Sequence, residues 1–293
     1  MNGTLAVARY TLLELSRRRI LLVFLILGAV GIALLGGGLK VLYSVLGSSS
    51  GVAPANADPA VFNRFLELLF VNYVFSALGT FGLLIAYAIG MTAIYHDLDS
   101  GAAVSIFSKP VSRLAFAAGK VAAAVAALVV IMAVLALEAR VVMVLFGGGL
   151  ENALTLEALA VVTNTLVLML IVLALSTWMN NIVAAVVAFV YYNVLSGVVV
   201  FVHNLVDNGV IGNAVVKTIF DIVYWLFPHQ LVSSAAGDLA RAQIALSGPS
   251  PQGGSQALAA VPPASGAGDV LWWVFVVCFF SAMLYYAVRR RQV

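Results

Sequence analysis

The sequence is poor in the residues that stabilise small secreted folds, bind metals or face water. It contains one cysteine, three histidines and only 9% charged residues in a chain of 293. A single cysteine, Cys278, excludes an intrachain disulfide framework and any metal site built from several cysteines. A soluble domain carries about 25% charged residues because its surface must face water. The scarcity of charge therefore argues against an aqueous fold.

The motifs of phosphate-binding loops and of zinc-dependent hydrolases are also missing. No G-x-x-x-x-G-K-[ST] phosphate-binding loop occurs, and the pair Gly119-Lys120 opens an apolar run instead of a phosphate loop. The sequence contains no H-E-x-x-H, and His96, His203 and His229 are far apart in the chain. We therefore predict that the chain is not an enzyme, has no catalytic or metal-binding residues and binds no cofactor of its own.

Apolar residues make up 63% of the chain and occur in long runs. A bilayer core of about 30 Å requires about 20 apolar residues in a helix, and six runs satisfy this requirement. They cover residues 20–39, 65–95, 114–146, 155–178, 182–202 and 270–288. The runs predict an all-α polytopic membrane protein with six transmembrane helices, forming a single transmembrane domain over residues 1–293.

The basic residues predict the orientation. With both termini inside, ten of the fifteen Lys and Arg residues face the cytosol and five face the other side. The cytosolic set is Arg9, Arg17, Arg18, Arg19, Lys109, Arg113, Lys120, Arg289, Arg290 and Arg291, and the exoplasmic set is Lys40, Arg64, Arg140, Lys217 and Arg241. This bias predicts a multi-pass protein of a bacterial cytoplasmic (inner) membrane with both termini cytosolic. Because the net charge is only +3, no nucleic acid partner is expected.

Two non-spanning segments also show a pattern. Residues 1–19 place apolar side chains at helical spacing, which predicts an amphipathic elbow helix in the headgroup plane; a frayed cytosolic tail is the alternative. Residues 205–269 form the largest exoplasmic segment. Its first part predicts an interfacial helix that ends at Pro228, and its later Gly, Ser and Pro residues predict a mobile tract.

The cytosolic loop 96–113 differs from its surroundings because charges and turn residues gather there. Asp97 and Asp99 come first, Gly101 permits a turn, and a short apolar segment follows that includes Phe107. Pro110 ends this short helix, and Ser112 can cap the third span, which Arg113 begins. The loop predicts a small helix held across two spans; a plain hairpin with topogenic charges is the alternative.

This loop resembles that of the ABC-2 type permeases, a family that includes the membrane component of copper-processing ABC transporters and multidrug-type exporters. The resemblance rests on the acidic-x-Gly element at 99–101, the Ser-x-Pro-Val-Ser-Arg string at 108–113, Gly119-Lys120 and Phe227-Pro228, and on the six-span layout with an N-terminal elbow. One departure is Ala102, where the family often has threonine.

The resemblance implies that the loop is a coupling helix seated on a separate ATPase subunit. The residues that would contact it are Asp97, Asp99, Gly101, Phe107, Pro110, Ser112 and Arg113. Two ATPase subunits, which bind ATP and Mg, and a second permease copy or similar chain are the implied partners within the lipid bilayer. The implied function is that of a permease subunit exporting a cargo, and the scarcity of charge along the spans favours a hydrophobic or amphiphilic one.

Polar residues inside the predicted spans are candidates for a pathway or gate, since such residues are costly in lipid. They are Glu138, Arg140, Asn72, Asn164 and Asn193. Snorkelling of the charged groups to the interface is the alternative for Glu138 and Arg140, and helix bridging by hydrogen bonds is the alternative for the asparagines. Two other classes of function stay open at this point: an ion-coupled secondary carrier or channel, and a membrane assembly or scaffold protein.

Overall fold

The computed structural model describes residues 3–48, 59–94, 112–146, 151–207, 213–233, 237–239, 241–242 and 264–290. All regular structure within these ranges is helical, without a β-strand. The helices are α1 (Gly3–Ser16), α2 (Arg19–Ser48), α3 (Pro59–Thr92), α4 (Arg113–Phe146), α5 (Glu151–Ser176), α6 (Asn181–Ala188), α7 (Ser196–Asp207), α8 (Ala214–Leu226) and α9 (Ala267–Arg290). A π-helical stretch, Phe189–Leu195, joins α6 to α7 without a break.

Six helical segments of the described chain are long and apolar enough to cross a bilayer. They are Arg19–Gly38, Arg64–Thr92, Arg113–Leu145, Thr155–Ser176, Asn181–Val206 and Ala267–Arg290. Each coincides with one of the six predicted runs. The prediction of an all-helical fold with six candidate membrane spans is therefore confirmed for the described residues, and these spans indicate a multi-pass membrane protein.

Helices α3 and α5 form the centre of the bundle, and two glycines allow them to approach closely. A Cβ atom on Gly90 would lie 2.8 Å from the Val172 side chain, and one on Gly82 would lie 2.8 Å from Met132 and 2.9 Å from Thr165. Small residues are favoured where membrane helices pack because lipid supplies no hydrophobic drive, so close contact must supply the attraction. Gly90 and Gly82 therefore position α3 against α5 and α4.

Helix α1 packs along the first half of α4. Gly119 admits the Thr4 carbonyl oxygen and the Val7 side chain, each 2.8 Å from the position of a Cβ atom. Glu14, further along α1, contacts Lys120, whose side chain is fully buried. Residues Gly3–Ser16 are helical, as expected within residues 1–19, and the amphipathic elbow in the headgroup plane stays a prediction.

The start of α4 is fixed by a cap and by the end of α9. The Ala115 backbone N–H donates to the Ser112 hydroxyl at 3.1 Å, so the predicted cap is confirmed. The Arg113 guanidinium donates to the Arg289 carbonyl oxygen at 2.8 Å. The first turn of α4 is therefore tied to α9, just after the loop that carries the proposed coupling residues.

Helix α8 packs antiparallel to α7. Asn213 caps its start by accepting a hydrogen bond from the Val215 N–H, and the helix ends at Leu226, just before Pro228. Its last turn contacts His203 through Tyr224. The mobile tract predicted after α8 lies mainly outside the described residues, and the depth of α8 in the membrane stays a prediction.

Candidate functional site

A non-helical segment, residues 227–233, enters the helical bundle after α8. The Phe227 ring lies 5.4 Å from the Tyr191 ring, and Leu231 contacts Asn164. Asn164 is nine residues from the start of its span, Thr155–Ser176, or about 14 Å along the helix. Segment 227–233 therefore contacts α5 within its predicted membrane span, more than two helical turns from the start of that span.

The side-chain amide of Asn164 forms two hydrogen bonds with the backbone of this segment. Its Nδ2 donates to the Leu231 carbonyl oxygen at 2.8 Å, and its Oδ1 accepts from the Leu231 N–H at 2.8 Å. The hydroxyl of Tyr192, which is fully buried, also points at Asn164 Oδ1, at 3.4 Å. The side-chain amide satisfies both backbone groups of one residue, and non-helical backbone is tolerated at membrane depth only where such groups have partners.

Asn193 makes a second link to the same segment. Its Nδ2 donates to the Tyr87 hydroxyl at 3.3 Å, and its Oδ1 accepts from Gln230 Nε2 at 3.4 Å. We call Asn164, Asn193 and Gln230 the amide cluster. A cavity of about 210 Å³ adjoins it and is lined by Asn193, Ser196, Gly197, Val200, Phe201, Gln230 and Val232. The amide cluster therefore places neutral polar groups against a small, mainly apolar cavity.

Other backbone groups of the segment also have hydrogen-bond partners. Ser196 donates to the Pro228 carbonyl oxygen at 3.1 Å. Val232 and Ser265 exchange two hydrogen bonds, since the Val232 N–H donates to the Ser265 hydroxyl and the Ser265 N–H donates to the Val232 carbonyl. The Ser233 hydroxyl donates to Glu157 of α5. The segment is an ordered part of the bundle.

The π-helical stretch supplies much of this site. Tyr191, Tyr192 and Asn193 all lie within Phe189–Leu195, and the Ser196 hydroxyl donates to the Tyr191 carbonyl oxygen at 3.1 Å. A π turn holds one more residue than an α turn and is found frequently at functional sites. Here it coincides with the contacts to Asn164 and Gln230.

Two histidines, one of which belongs to segment 227–233, stack on one tyrosine of α8. The Tyr224 ring lies 4.3 Å from His203 and 4.1 Å from His229, both nearly parallel, so one imidazole covers each face. We call His203, Tyr224 and His229 the histidine stack. Asp221 Oδ1 is 3.3 Å from His203 Nδ1. Asp269 Oδ1 lies 3.1 Å from His229 Nε2 and accepts from the Tyr224 hydroxyl at 3.0 Å.

Asp269 ties the histidine stack to the first turn of α9. Its Oδ2 accepts from the Gly266 N–H at 2.7 Å, in addition to the bonds at Oδ1. An acidic residue in the first turn is also favoured by the helix dipole. Burial lowers the pKa of the His229 imidazole, and the carboxylate of Asp269 offsets this only in part, so the net pKa lies below its usual value of 6.5.

The lowered pKa of His229 predicts a loss of stability in mild acid. Below about pH 6.5 the unfolded chain binds a proton at this residue more readily than the folded chain does. The free energy of unfolding therefore decreases as the pH is lowered, by at most about 1.4 kcal/mol per pH unit. The apparent melting temperature should therefore drop between about pH 7.5 and pH 5.5, and less in His229→Gln. His203→Gln keeps the His229–Asp269 pair and should retain the drop. Equal slopes in wild type and His229→Gln would contradict the assignment.

The other predicted pathway residues lie away from the amide cluster. Asn72 and Arg140 are exposed, Glu138 is half-buried, and none of the three makes a side-chain hydrogen bond or ion pair within the described ranges. Glu138 and Arg140 do not pair, as expected for residues two apart on a helix. The structure therefore brings together Asn164 and Asn193 only.

Most of the predicted coupling residues belong to the part of the loop before Ser112. Asp97, Asp99, Gly101, Phe107 and Pro110 lie outside the described residues. The two that are described, Ser112 and Arg113, begin α4 as set out above. Their role towards an ATPase stays a prediction.

No family model matches the sequence, and no curated protein is significantly similar to it. The likeness to ABC-2 permeases consequently depends on the short motifs of the sequence, namely the loop string, Gly119-Lys120 and Phe227-Pro228, and on the six-span layout with an N-terminal elbow.

The histidine stack and the role of Gln230 do not follow from the sequence patterns described above. The available signals were Asp221 and Tyr224, three apart on one helix, with His229 shortly after Pro228. Spacing of this kind places side chains on one face of a helix, but it does not show that His203, from the preceding span, fills the space beside them.

Proposed function

We propose that this chain is the membrane subunit of an ATP-driven exporter of the ABC-2 type. A separate ATPase would supply the energy, with two copies serving a pair of permeases. Loop 96–113 would lie in the cytosol and bind the ATPase, as the bias of basic residues and the loop string suggest. The termini would face the cytosol of a bacterial inner membrane.

The observation that best supports this proposal is the attachment of α4 at the end of the loop. The Arg113 side chain bonds to the α9 backbone, and Lys120 contacts Glu14 of α1. A force applied to the loop would therefore reach three helices within the first three turns of α4. A plain topogenic hairpin requires only the charges, without these links.

The amide cluster supports a cargo with a large apolar part. Asn193 and Gln230 present neutral amides in a cavity otherwise lined mainly by apolar side chains. Uncharged hydrogen-bonding groups in such a wall suit a hydrophobic or amphiphilic molecule better than an ion. An ion would lose its hydration on entering this cavity, and the lining offers no opposite charge that would compensate for the loss. In this proposal, relative movement of two permeases would open a route past the cluster.

Affinity purification from native membranes tests the proposal. A subunit with a phosphate-binding loop should co-purify in stoichiometric amount and should be lost, by at least about tenfold, in Phe107→Ala, since truncating an interface anchor commonly costs about 2 kcal/mol. Phe279→Ala removes an exposed phenylalanine from α9 and should retain the partner. Both variants must elute as monodisperse protein.

Reconstitution separates this function from the alternatives. An ion-coupled carrier would move solute in proteoliposomes that contain the chain alone and an ion gradient. A scaffold would move none, with or without ATPase and ATP. Transport by the isolated chain, or an ATPase retained equally by Phe107→Ala and wild type, would refute the proposal.

A further inference from the structure

A groove opens between α1, α2 and α4, and it shares no lining residue with the cavity beside the amide cluster. Its volume is about 550 Å³, within the range of roughly 300–1,000 Å³ that small-molecule sites occupy. Its walls are almost entirely apolar and include Leu12, Leu15, Leu21, Leu25, Ala126 and Val130. A groove of this size can hold an extended hydrocarbon chain.

The groove adjoins the predicted lipid surface of two spans. Leu22, which lines it, is 54% exposed and lies in the span that begins at Arg19, and Val130 is 62% exposed in the span of α4. These side chains would be surrounded by acyl chains in a membrane. The occupant of the groove can therefore come from the bilayer itself.

Positive charge borders the groove. Arg9 lines it, and Arg17 and Arg19 lie in the chain between the lining residues Ser16 and Leu21. All three arginines are exposed, and none pairs with an acidic side chain within the described ranges. An anionic group is therefore the complementary partner for this border.

The one acidic residue in this part of the sequence already has two basic partners. Glu14 is the sole acidic residue among positions 1–48, and it is 2.5 Å from Arg18 and 3.4 Å from Lys120. After these two ion pairs, Arg9, Arg17 and Arg19 give the N-terminal region around the groove a net positive charge. An apolar groove with excess arginine at one border matches the two parts of an anionic phospholipid.

We propose that this groove binds one anionic phospholipid from the surrounding leaflet. An acyl chain lies along the leucines of α1 and α2, and the phosphate contacts Arg9 with Arg17 or Arg19. The lipid bridges α1 to the first span and to α4. This inference does not depend on the proposed export function and can be tested without an ATPase.

Native mass spectrometry of the purified full-length chain tests the site. After incubation with equal amounts of phosphatidylglycerol and phosphatidylethanolamine, the wild type should retain one phosphatidylglycerol in preference. Arg9→Gln should reduce this preference about fivefold, which is the typical contribution of one basic residue near an anionic membrane. Arg290→Gln removes another exposed arginine that does not line the groove and should leave the preference unchanged.

Filling the groove tests the site of the acyl chain. Ala126→Phe should reduce binding of both lipids, whereas Ala122→Phe, one turn earlier on α4 at an exposed position outside the groove, should not. If Ala126→Phe does not fold, a second measurement replaces it: phosphatidylglycerol should raise the melting temperature of wild type more than that of Arg9→Gln. Equal retention of the two lipids by wild type, or equal responses of Arg9→Gln and Arg290→Gln, would overturn the proposal.

Discussion

Glu14→Lys is expected to destabilise the protein by roughly 3–5 kcal/mol, because it replaces the partner of a fully buried cation with a like charge. Glu14 accepts from Arg18 at 2.5 Å and from Lys120 at 3.4 Å, and the Lys120 side chain is fully buried. The substitution would place a third cation beside these two. Melting of the purified protein, followed by circular dichroism, measures the effect.

The pKa of Glu14 is consistent with this expectation. Burial raises the pKa of its carboxyl, but the hydrogen bond and charge of Arg18 and the charge of Lys120 outweigh burial, so the net pKa is lowered. The carboxylate is thus stabilised in the folded chain, and this contribution is lost as pH falls below about 4.5. That window lies well below the one expected for His229.

A surface ion pair and a charge swap provide the controls. Glu67→Lys disrupts the pair with Arg64, whose members are 3.5 Å apart and partly exposed, and should cost less than about 1 kcal/mol. The double variant Glu14→Lys/Lys120→Glu restores opposite charges and should recover part of the loss. Equal destabilisation by Glu14→Lys and Glu67→Lys would show that the α1–α4 contact does not depend on this ion pair.

Gly90→Leu is expected to destabilise the bundle by about 3 kcal/mol or more, because overpacking a tight core commonly costs 1–3 kcal/mol per small change. Even the first added carbon would lie 2.8 Å from Val172 and 3.2 Å from the Met169 carbonyl oxygen. A backbone atom cannot rotate away as a side chain can, so α3 must separate from α5. Detergent-solubilised yield and melting temperature should both fall.

Gly79→Leu is the matched control on the same helix. A Cβ atom there meets nothing within 4 Å, so the larger side chain should be accepted with a change below about 1 kcal/mol. Similar losses in the two variants would indicate that α3 is sensitive to any added bulk, and that the contact with α5 is not the cause.

The spans could be predicted from the sequence because lipid imposes a simple length and polarity rule. Each apolar run became a helix, and the Ser112 cap and the end of α8 near Pro228 followed from local chemistry. These features depend on neighbouring residues alone. They require no knowledge of which helices are adjacent.

The partners of the polar groups could not be predicted in the same way. Asn164 and Leu231 are 67 positions apart, and His229 and Asp269 are 40 apart. In a span where nearly every position is apolar, periodicity does not identify the buried face, so the neighbours of Asn164 or Asn193 stay undefined. The direction of the segment after α8 depends on these long-range bonds.

The π-helical stretch also sets the phase of its span. Each α-helical residue turns the helix by roughly 100°, so one extra residue rotates everything after it by about that angle. The part before Phe189–Leu195 packs on α3 and α5, while α7 packs on α8. Deleting a single residue there would leave the hydrophobicity of the span unchanged and yet turn His203 away from Tyr224. One continuous helix therefore presents one face to α3 and α5 and, beyond the π-helical stretch, a different face to α8. The hydropathy of the span does not show this rotation.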